Sequence, residues 1–297
     1  MIETPVVRLD VDAPCEIWLK LECLQPIGSF KLRGAASTIR QAGPDAWRDG
    51  VWTTSAGNMA QGVCWLAREL GIPATVVAPD HAPQAKLDAI ERLGGRVIPV
   101  PFETWWTTME EGAYEGLHGF FVHPVLDERV MAGNGVIGLE LAEQLDAIDT
   151  VLVPWGGGGL TTGIASALAA VRPGTRVVAC EPATGAPLAA SFAAGERVSV
   201  EYVASFVDGA GSKALLPAMW ERAQRLVSDA VAVPLEDVAD AVRLLATRAH
   251  VVAEGAGALA LAAALAGHGG RSRAVCVVSG GGIDPDLLAR LLLEQRA

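Results

Sequence analysis

The chain has 297 residues, of which 51% are hydrophobic and 19% charged, enough apolar material for one large packed domain or two smaller ones and too little charge for disorder. Lys and Arg number 23 against 34 Asp and Glu, a formal charge of −11, which argues against binding to a nucleic-acid backbone. The N-terminus lacks the basic-then-apolar order of a secretory leader, the Ala-rich stretch 255–267 is too short and small-sided to span a bilayer, and the five cysteines (Cys15, Cys23, Cys64, Cys180, Cys276) never fall as C-x-x-C, so a membrane span, a disulfide scaffold and a zinc ribbon are all disfavoured and the chain reads as cytoplasmic.

Strand-like and helical segments alternate from end to end, the pattern of an α/β sheet protein. Residues 25–29 spell a turn, with Ser29 as the expected N-cap, which puts Lys31 in the first turn of a helix. A short strand over 51–54 leads to a helix over 60–70 closed by Gly71 and Pro73; a strand over 74–78, a helix over 84–93 and a strand over 96–100 follow. The segment 102–126 has weaker periodicity and carries Trp105, Trp106, Tyr114, His118 and His123; it reads as a lid or lobe edge. The alternation resumes with a strand over 151–153, a helix over 161–171 and a strand over 176–180, and ends with a helix over 251–266 and a strand over 274–278.

Four segments carry chemical potential. In the first, an apolar strand runs into Gly156, Gly157, Gly158 and Gly159 and then, through Leu160, into a clean helix. Glycines let backbone N–H groups converge on an anion, and the helix start adds partial positive charge. No lysine follows, so this is not a nucleotide P-loop, and backbone alone suits a cofactor phosphate that stays in place. In the second, Lys31 follows Phe30 at a helix start, where an ammonium is disfavoured and a neutral amine favoured. It is one of only four lysines, with Lys20, Lys86 and Lys213. The third is Ser55, Ala56, Gly57 and Asn58 between a strand and a helix, suited to a carboxylate. The fourth is Ser279 at the end of the last strand, followed by Gly280, Gly281 and Gly282. A further G-x-G-x-x-G at Gly133, Gly135 and Gly138 lacks the preceding apolar strand of a dinucleotide site and reads as close helix packing.

Taken in this order, from Thr4 and Pro5 to Ile283 and Asp284, the segments resemble the fold type II pyridoxal-phosphate enzymes, in particular the threonine/serine dehydratase and serine racemase branch. The resemblance implies two lobes, each an open, twisted, mostly parallel sheet flanked by helices: a large cofactor-binding domain of residues 1–48 and 132–297 and a small substrate-binding domain of residues 49–131. It makes Lys31 the lysine bonded to the cofactor aldehyde and the base that takes the substrate α-proton. It assigns Phe30, Asn58, the loop from Gly156 to Leu160 and Ser279 to the cofactor, and Ser55, Ala56, Gly57 and Asn58 to the substrate. The implied reaction is loss of water from a β-hydroxy amino acid, giving a 2-oxo acid and ammonia. β-Replacement and racemisation are the alternatives on the same fold, and a non-catalytic amino-acid sensor is a third.

The chain departs from that family pattern at several places. Ala56 stands where racemases of this branch carry a second serine, which argues against efficient racemisation. Met59 replaces a histidine, Gly282 an asparagine and Asn134 a glutamine, and Trp155 ahead of the glycine loop is bulkier than usual. Trp155, Trp105 and Trp106 would reshape a side-chain pocket, although packed core is the commoner use of tryptophan. The chain ends soon after Ser279, so feedback inhibition through a C-terminal regulatory domain is not expected. Family members bind a metal or monovalent cation near Phe206, Val207, Asp208 and Gly209, which singles out Glu181, Asp208 and Glu254. No metal-ligand spacing accompanies these three, and capping or solvated carboxylates are the favoured reading. A homodimer is implied by the family alone.

Overall fold

In the structure, a computed structural model that describes residues 1–294, the alternation resolves into two sheets. Strands β1 (Val6–Leu9) and β2 (Glu16–Lys20) pair antiparallel, and helix α1 (Lys31–Ala42) follows. Next come β3 (Val51–Thr54), α2 (Asn58–Leu70), β4 (Ala74–Pro79), α3 (Gln84–Arg92), β5 (Gly95–Val100), α4 (Phe102–Glu111), β6 (Phe120–Phe121) and α5 (Glu128–Gln144). The chain continues through β7 (Thr150–Pro154), α6 (Gly159–Val171), β8 (Arg176–Pro182), α7 (Pro187–Ala194), α8 (Pro217–Leu226), β9 (Asp229–Val233), α9 (Leu235–Leu244), α10 (Gly255–Ala263), β10 (Arg273–Val277) and α11 (Pro285–Leu293). One sheet has the order β5-β4-β3-β6 and is wholly parallel; the other has the order β1-β2-β10-β7-β8-β9 and is parallel apart from the β1–β2 pair.

Two compact units divide the chain, one of residues 30–134 together with Met1, the other of residues 2–29 and 135 onward. Helix α1, expected with the large domain, belongs to the smaller unit because it packs on α2. A Cβ on Gly62 would meet the Lys31 carbonyl oxygen at 3.3 Å and the Ala35 Cβ at 3.4 Å, so a glycine on α2 sets how closely α1 approaches. The smaller core joins Ala35 and Ile39 of α1, Met59, Val63 and Leu66 of α2, and Val51 and Val76 of the sheet, all buried. The segment 102–126 is less a lid than a layer: α4 packs on the sheet, and β6 pairs with β3 as an edge strand.

In the larger unit α10 lies against the sheet and is apolar on every side, with all nine residues buried, which is why its sequence reads as one continuous small-residue run. It begins four residues later than expected, because the Glu254 N–H is drawn to the Gly280 carbonyl at 3.1 Å and His250 turns left-handed at φ 57°. At the other end a buried polar network ties down the N-terminal strand. Lys20 Nζ, with no exposure, donates to the Thr4 carbonyl at 2.7 Å, to Glu140 at 2.5 Å and to Gln144 at 2.9 Å. Thr4 Oγ1 donates to Glu22 at 2.5 Å. The G-x-G-x-x-G stretch lies mid-helix in α5 rather than at a helix start. Within the larger unit, a Cβ at Gly135 would lie 2.9 Å from the Gly163 carbonyl of α6, and one at Gly138 3.0 Å from the Ile164 carbonyl. These glycines serve helix packing.

Candidate active site

In the smaller unit two helix starts carry the candidate side chains. Lys31 is the first residue of α1, half-buried, with no acidic residue in the first turn and its Nζ 5.2 Å from the Phe30 ring centroid. Ser29, expected as the cap, does not cap: Phe30 takes that position, and Ser29 forms a backbone bridge with Gly280 in the larger unit. Asn58 opens α2, and the loop before it folds on itself, the Gly57 N–H donating to Ser55 Oγ at 3.2 Å. The Lys31 carbonyl abuts Gly62, one turn into α2, so the Lys31 and Asn58 segments are neighbours. Just before the loop, Thr54 is 1% exposed and its hydroxyl has no hydrogen-bond partner among the described residues. Sequence reasoning missed that hydroxyl, since a threonine in a strand reads only as strand propensity.

In the larger unit two adjacent strand ends carry the rest. β10 lies beside β7, with Cys276 opposite Leu152, so Ser279 and the glycine loop leave the sheet at the same end, where open α/β sheets bind ligands. The loop turns into α6 through Gly158, whose φ of +88° suits glycine; as N-cap it brings no side chain of its own, and the first turn of α6 contains no acidic residue. A Cβ on Gly158 would meet Trp155 Cη2 at 2.6 Å, Trp155 Cζ2 at 2.7 Å and Met219 Cε at 2.8 Å. Leu160 is buried in the first turn, and Ser279 is 3% exposed.

The other titratable groups sort away from catalysis. Glu181 is buried and accepts the Leu188 and Ala189 N–H groups at 3.1 and 2.8 Å. It ties the start of α7 rather than waiting for a metal, and burial pushes its carboxyl up to about 7. Glu254 borders Gly209, its Oε1 3.6 Å from where a Cβ would stand, yet among the described residues no group of three His, Cys, Asp or Glu side chains could hold a metal ion. Burial pushes the Cys23 and Cys64 thiols up to about 11 and 12 and those of Cys180 and Cys276 higher still, which removes them as nucleophiles at neutral pH. Lys20 is committed to Glu140, and Lys213 is exposed on a loop. A cavity of about 620 Å³ between α4 and the following loop is lined by Glu103, Glu111 and Glu115 among others and includes none of the candidate residues.

With this geometry in hand, the comparison with known proteins is decisive. A family model described as pyridoxal-phosphate dependent enzyme matches residues 1–280. The chain belongs to this family. It is 38% identical over 281 residues to an L-threonine ammonia-lyase of Thermotoga maritima, covering 93% of this chain and 70% of that protein. It is also 38% identical to a catabolic L-threonine dehydratase of Staphylococcus aureus, covering 90% of this chain and 79% of that one. The structure of maize serine racemase superposes with a TM-score of 0.86 at 32% identity, covering 97% of this chain and 92% of that one.

The residues present fit pyridoxal phosphate. The glycine-rich start of α6, with no acidic residue in its first turn, suits a phosphate dianion. Lys31 supplies an amine at a helix start, and Ser279 offers a neutral hydroxyl at a strand end. Among the described residues no helix is long and apolar enough to cross a membrane.

Proposed function

We propose that the protein is a pyridoxal-phosphate-dependent ammonia-lyase that removes water from a β-hydroxy amino acid of the threonine or serine type, leaving a 2-oxo acid and ammonia. The observation that carries the reading is the arrangement inside each unit: Lys31 beside the start of α2 in one, and the glycine loop beside Ser279 in the other. The likeness to the Thermotoga L-threonine ammonia-lyase over nearly the whole chain supports it.

In this reading the larger unit, residues 2–29 and 135 onward, is the cofactor-binding domain, and the smaller unit, residues 30–134, is the substrate-binding domain and carries Lys31 as well. The cofactor is held by Lys31 and Phe30, by Asn58, by the loop of Gly156, Gly157, Gly158, Gly159 and Leu160, and by Ser279. The bound cofactor supplies an aldehyde for covalent attachment of the amine and a conjugated ring that accepts the electron pair left at the α-carbon. Lys31 Nζ takes the α-proton. The start of α2, with Ser55, Ala56, Gly57 and Asn58, binds the substrate carboxylate and so fixes which proton faces Lys31. Ser279, having no charge to offer a ring nitrogen, leaves it largely unprotonated, which favours expulsion of a β-substituent over long-lived charge on the α-carbon. The β-hydroxyl leaves as water, and hydrolysis of the resulting enamine releases ammonia.

The protein is further read as a cytoplasmic homodimer, the first from its five free cysteines and the second from the family resemblance. No step is assigned to a cation. The test is release of 2-oxo acid and ammonia from L- and D-serine, L- and D-threonine, 3-hydroxyaspartate and phenylserine, by the wild type and by Lys31→Ala. Turnover by the wild type that vanishes in the variant is expected. Cofactor-loaded protein that releases nothing from any of the panel overturns the reading. Chiral analysis of recovered serine distinguishes racemisation, which Ala56 disfavours.

A further inference from the structure

In the smaller unit, β6 runs beside β3 and leaves the sheet through His123. The Val122 N–H donates to the Trp52 carbonyl and Thr53 Oγ1 to the Val122 carbonyl, both at 2.8 Å. The register sets Trp52 opposite Phe121; carried on along both strands, it puts His123 level with Thr54, the residue before the 55–58 loop. The rings follow one face: Trp52 and Phe121 lie 4.3 Å apart, and His123 meets Phe121 edge-on at 5.9 Å. There the half-buried imidazole accepts two backbone donors on one atom. The Val125 N–H reaches Nδ1 at 3.1 Å and the Leu126 N–H at 3.0 Å, which closes the turn that leads into α5. Just ahead of that helix, Asp127 accepts the Arg129 N–H at 2.8 Å and pairs with the Arg129 guanidinium at 2.8 Å. Helix α5 then meets α1, the helix that Lys31 opens: Val130 Cγ1 would lie 2.7 Å from a Cβ on Gly34.

A ring nitrogen that accepts two N–H groups carries no proton, so the imidazole is neutral with its hydrogen on Nε2. A proton arriving at Nδ1 would face both donors and undo the closure. Burial already holds the imidazole below its ordinary 6.5. Asp127 opposes that shift and is the one charged group acting on the ring among the described residues; its own charge is offset by Arg129, and β3 alongside presents only Trp52 and Thr54. An aspartate or asparagine closes such a turn without titrating near neutrality, whereas a histidine makes the closure depend on pH. We propose that His123 is a positioning residue of the substrate site: neutral, it locks the 123–126 turn and steadies the 55–58 loop alongside, and on protonation it releases them, so that substrate binding weakens in acid. This rests on the reading above that the 55–58 loop binds the substrate carboxylate, and adds a pH control to it.

The test is the pH dependence of KM and kcat for the holoenzyme in the wild type, His123→Asn and His123→Phe, with the best substrate of the panel above. Asparagine offers an oxygen acceptor where Nδ1 stands and does not titrate; phenylalanine keeps a ring and offers no acceptor. In the wild type KM should rise about ten-fold as pH falls from about 7.5 to about 5, the loss expected from two backbone hydrogen bonds, with kcat changed less than about three-fold. His123→Asn should keep the neutral-pH KM within about two-fold and lack the rise, and His123→Phe should show the raised KM at every pH. Nitrogen NMR of the imidazoles, with His123 assigned by its absence from His123→Asn, reads the latch without turnover and should find the hydrogen on Nε2 at pH 7.5. Coincident profiles for wild type and His123→Asn, an unchanged KM in His123→Phe, or a hydrogen on Nδ1 overturns the proposal. Should the wild type turn over nothing in the panel, the functional reading falls and the substrate role of His123 falls with it. Coincident profiles in an active enzyme sink this proposal alone, so the two failures are told apart.

Discussion

The two units present their candidate groups in opposite ways. The smaller offers side chains at two helix starts, Lys31 and Asn58, each only partly buried. The larger offers backbone, a glycine loop shaped from below by Trp155 and Met219, in a unit that buried polar anchors such as Lys20 and Glu181 brace at its N-terminal strand and at α7. A side chain projecting from a helix start can be exchanged without disturbing the core, whereas a backbone cradle is only as good as the packing behind it. Substitutions at the helix starts of the smaller unit should therefore remove chemistry and spare the fold, whereas substitutions in the larger unit should cost stability first.

Lys31→Ala carries the largest expected effect and tests the first half of that contrast. Turnover should fall by at least about a thousand-fold, since the reading gives Lys31 both the covalent attachment and the proton transfer, while the melting temperature of cofactor-free protein stays within about 2 °C. A large loss of stability would break the contrast. Gly158→Ala tests the other half. Alanine would be strained at φ +88° and would drive its methyl into Trp155 and Met219, costing about 2–4 kcal/mol by denaturant titration together with the capacity to retain pyridoxal phosphate.

Lys20→Met sharpens the comparison by striking a buried anchor whose side chain is spent on Thr4, Glu140 and Gln144. It leaves Glu140 without its buried partner and should destabilise by about 3–5 kcal/mol, with turnover per folded molecule unchanged. Glu181→Gln has the smallest effect and shows itself in pH dependence. Burial raises the folded-state carboxyl from 4.5 to about 7, so the folded state holds the extra proton between those values. The residue's contribution to stability is therefore full below about pH 4.5 and is lost as pH rises towards 7. Melting curves from pH 4.5 to 8 should fall more steeply for the wild type than for Glu181→Gln, by on the order of 2–3 kcal/mol across that window. Parallel curves would show that Glu181 does not titrate there.

Much of the α/β alternation could be read from the sequence because strands buried on both faces are continuous apolar runs and helices announce themselves by period and by Gly or Pro stops. The 84–93 helix and the 74–78 strand lie within a residue or so of α3 and β4. β6 leaves little trace, since two residues are too few for a period. The start of α10 was misplaced because Val251 and Val252 extend its apolar run while the Glu254–Gly280 hydrogen bond that delays it is tertiary.

By itself, the sequence determined the family and the order of the four motifs, because a strand, four glycines and a helix, or a lysine two residues after a serine, are local patterns written in consecutive residues. Only the tertiary structure decided what surrounds them. It placed α1 with α2 through Gly62, spent Lys20 on Glu140 and Glu181 on α7, and left the Thr54 hydroxyl and the Trp155 indole N–H buried without partners among the described residues. Such facts depend on residues tens to more than a hundred positions apart coming into contact, and whether a polar group finds a partner is fixed by that packing rather than by its neighbours in the chain.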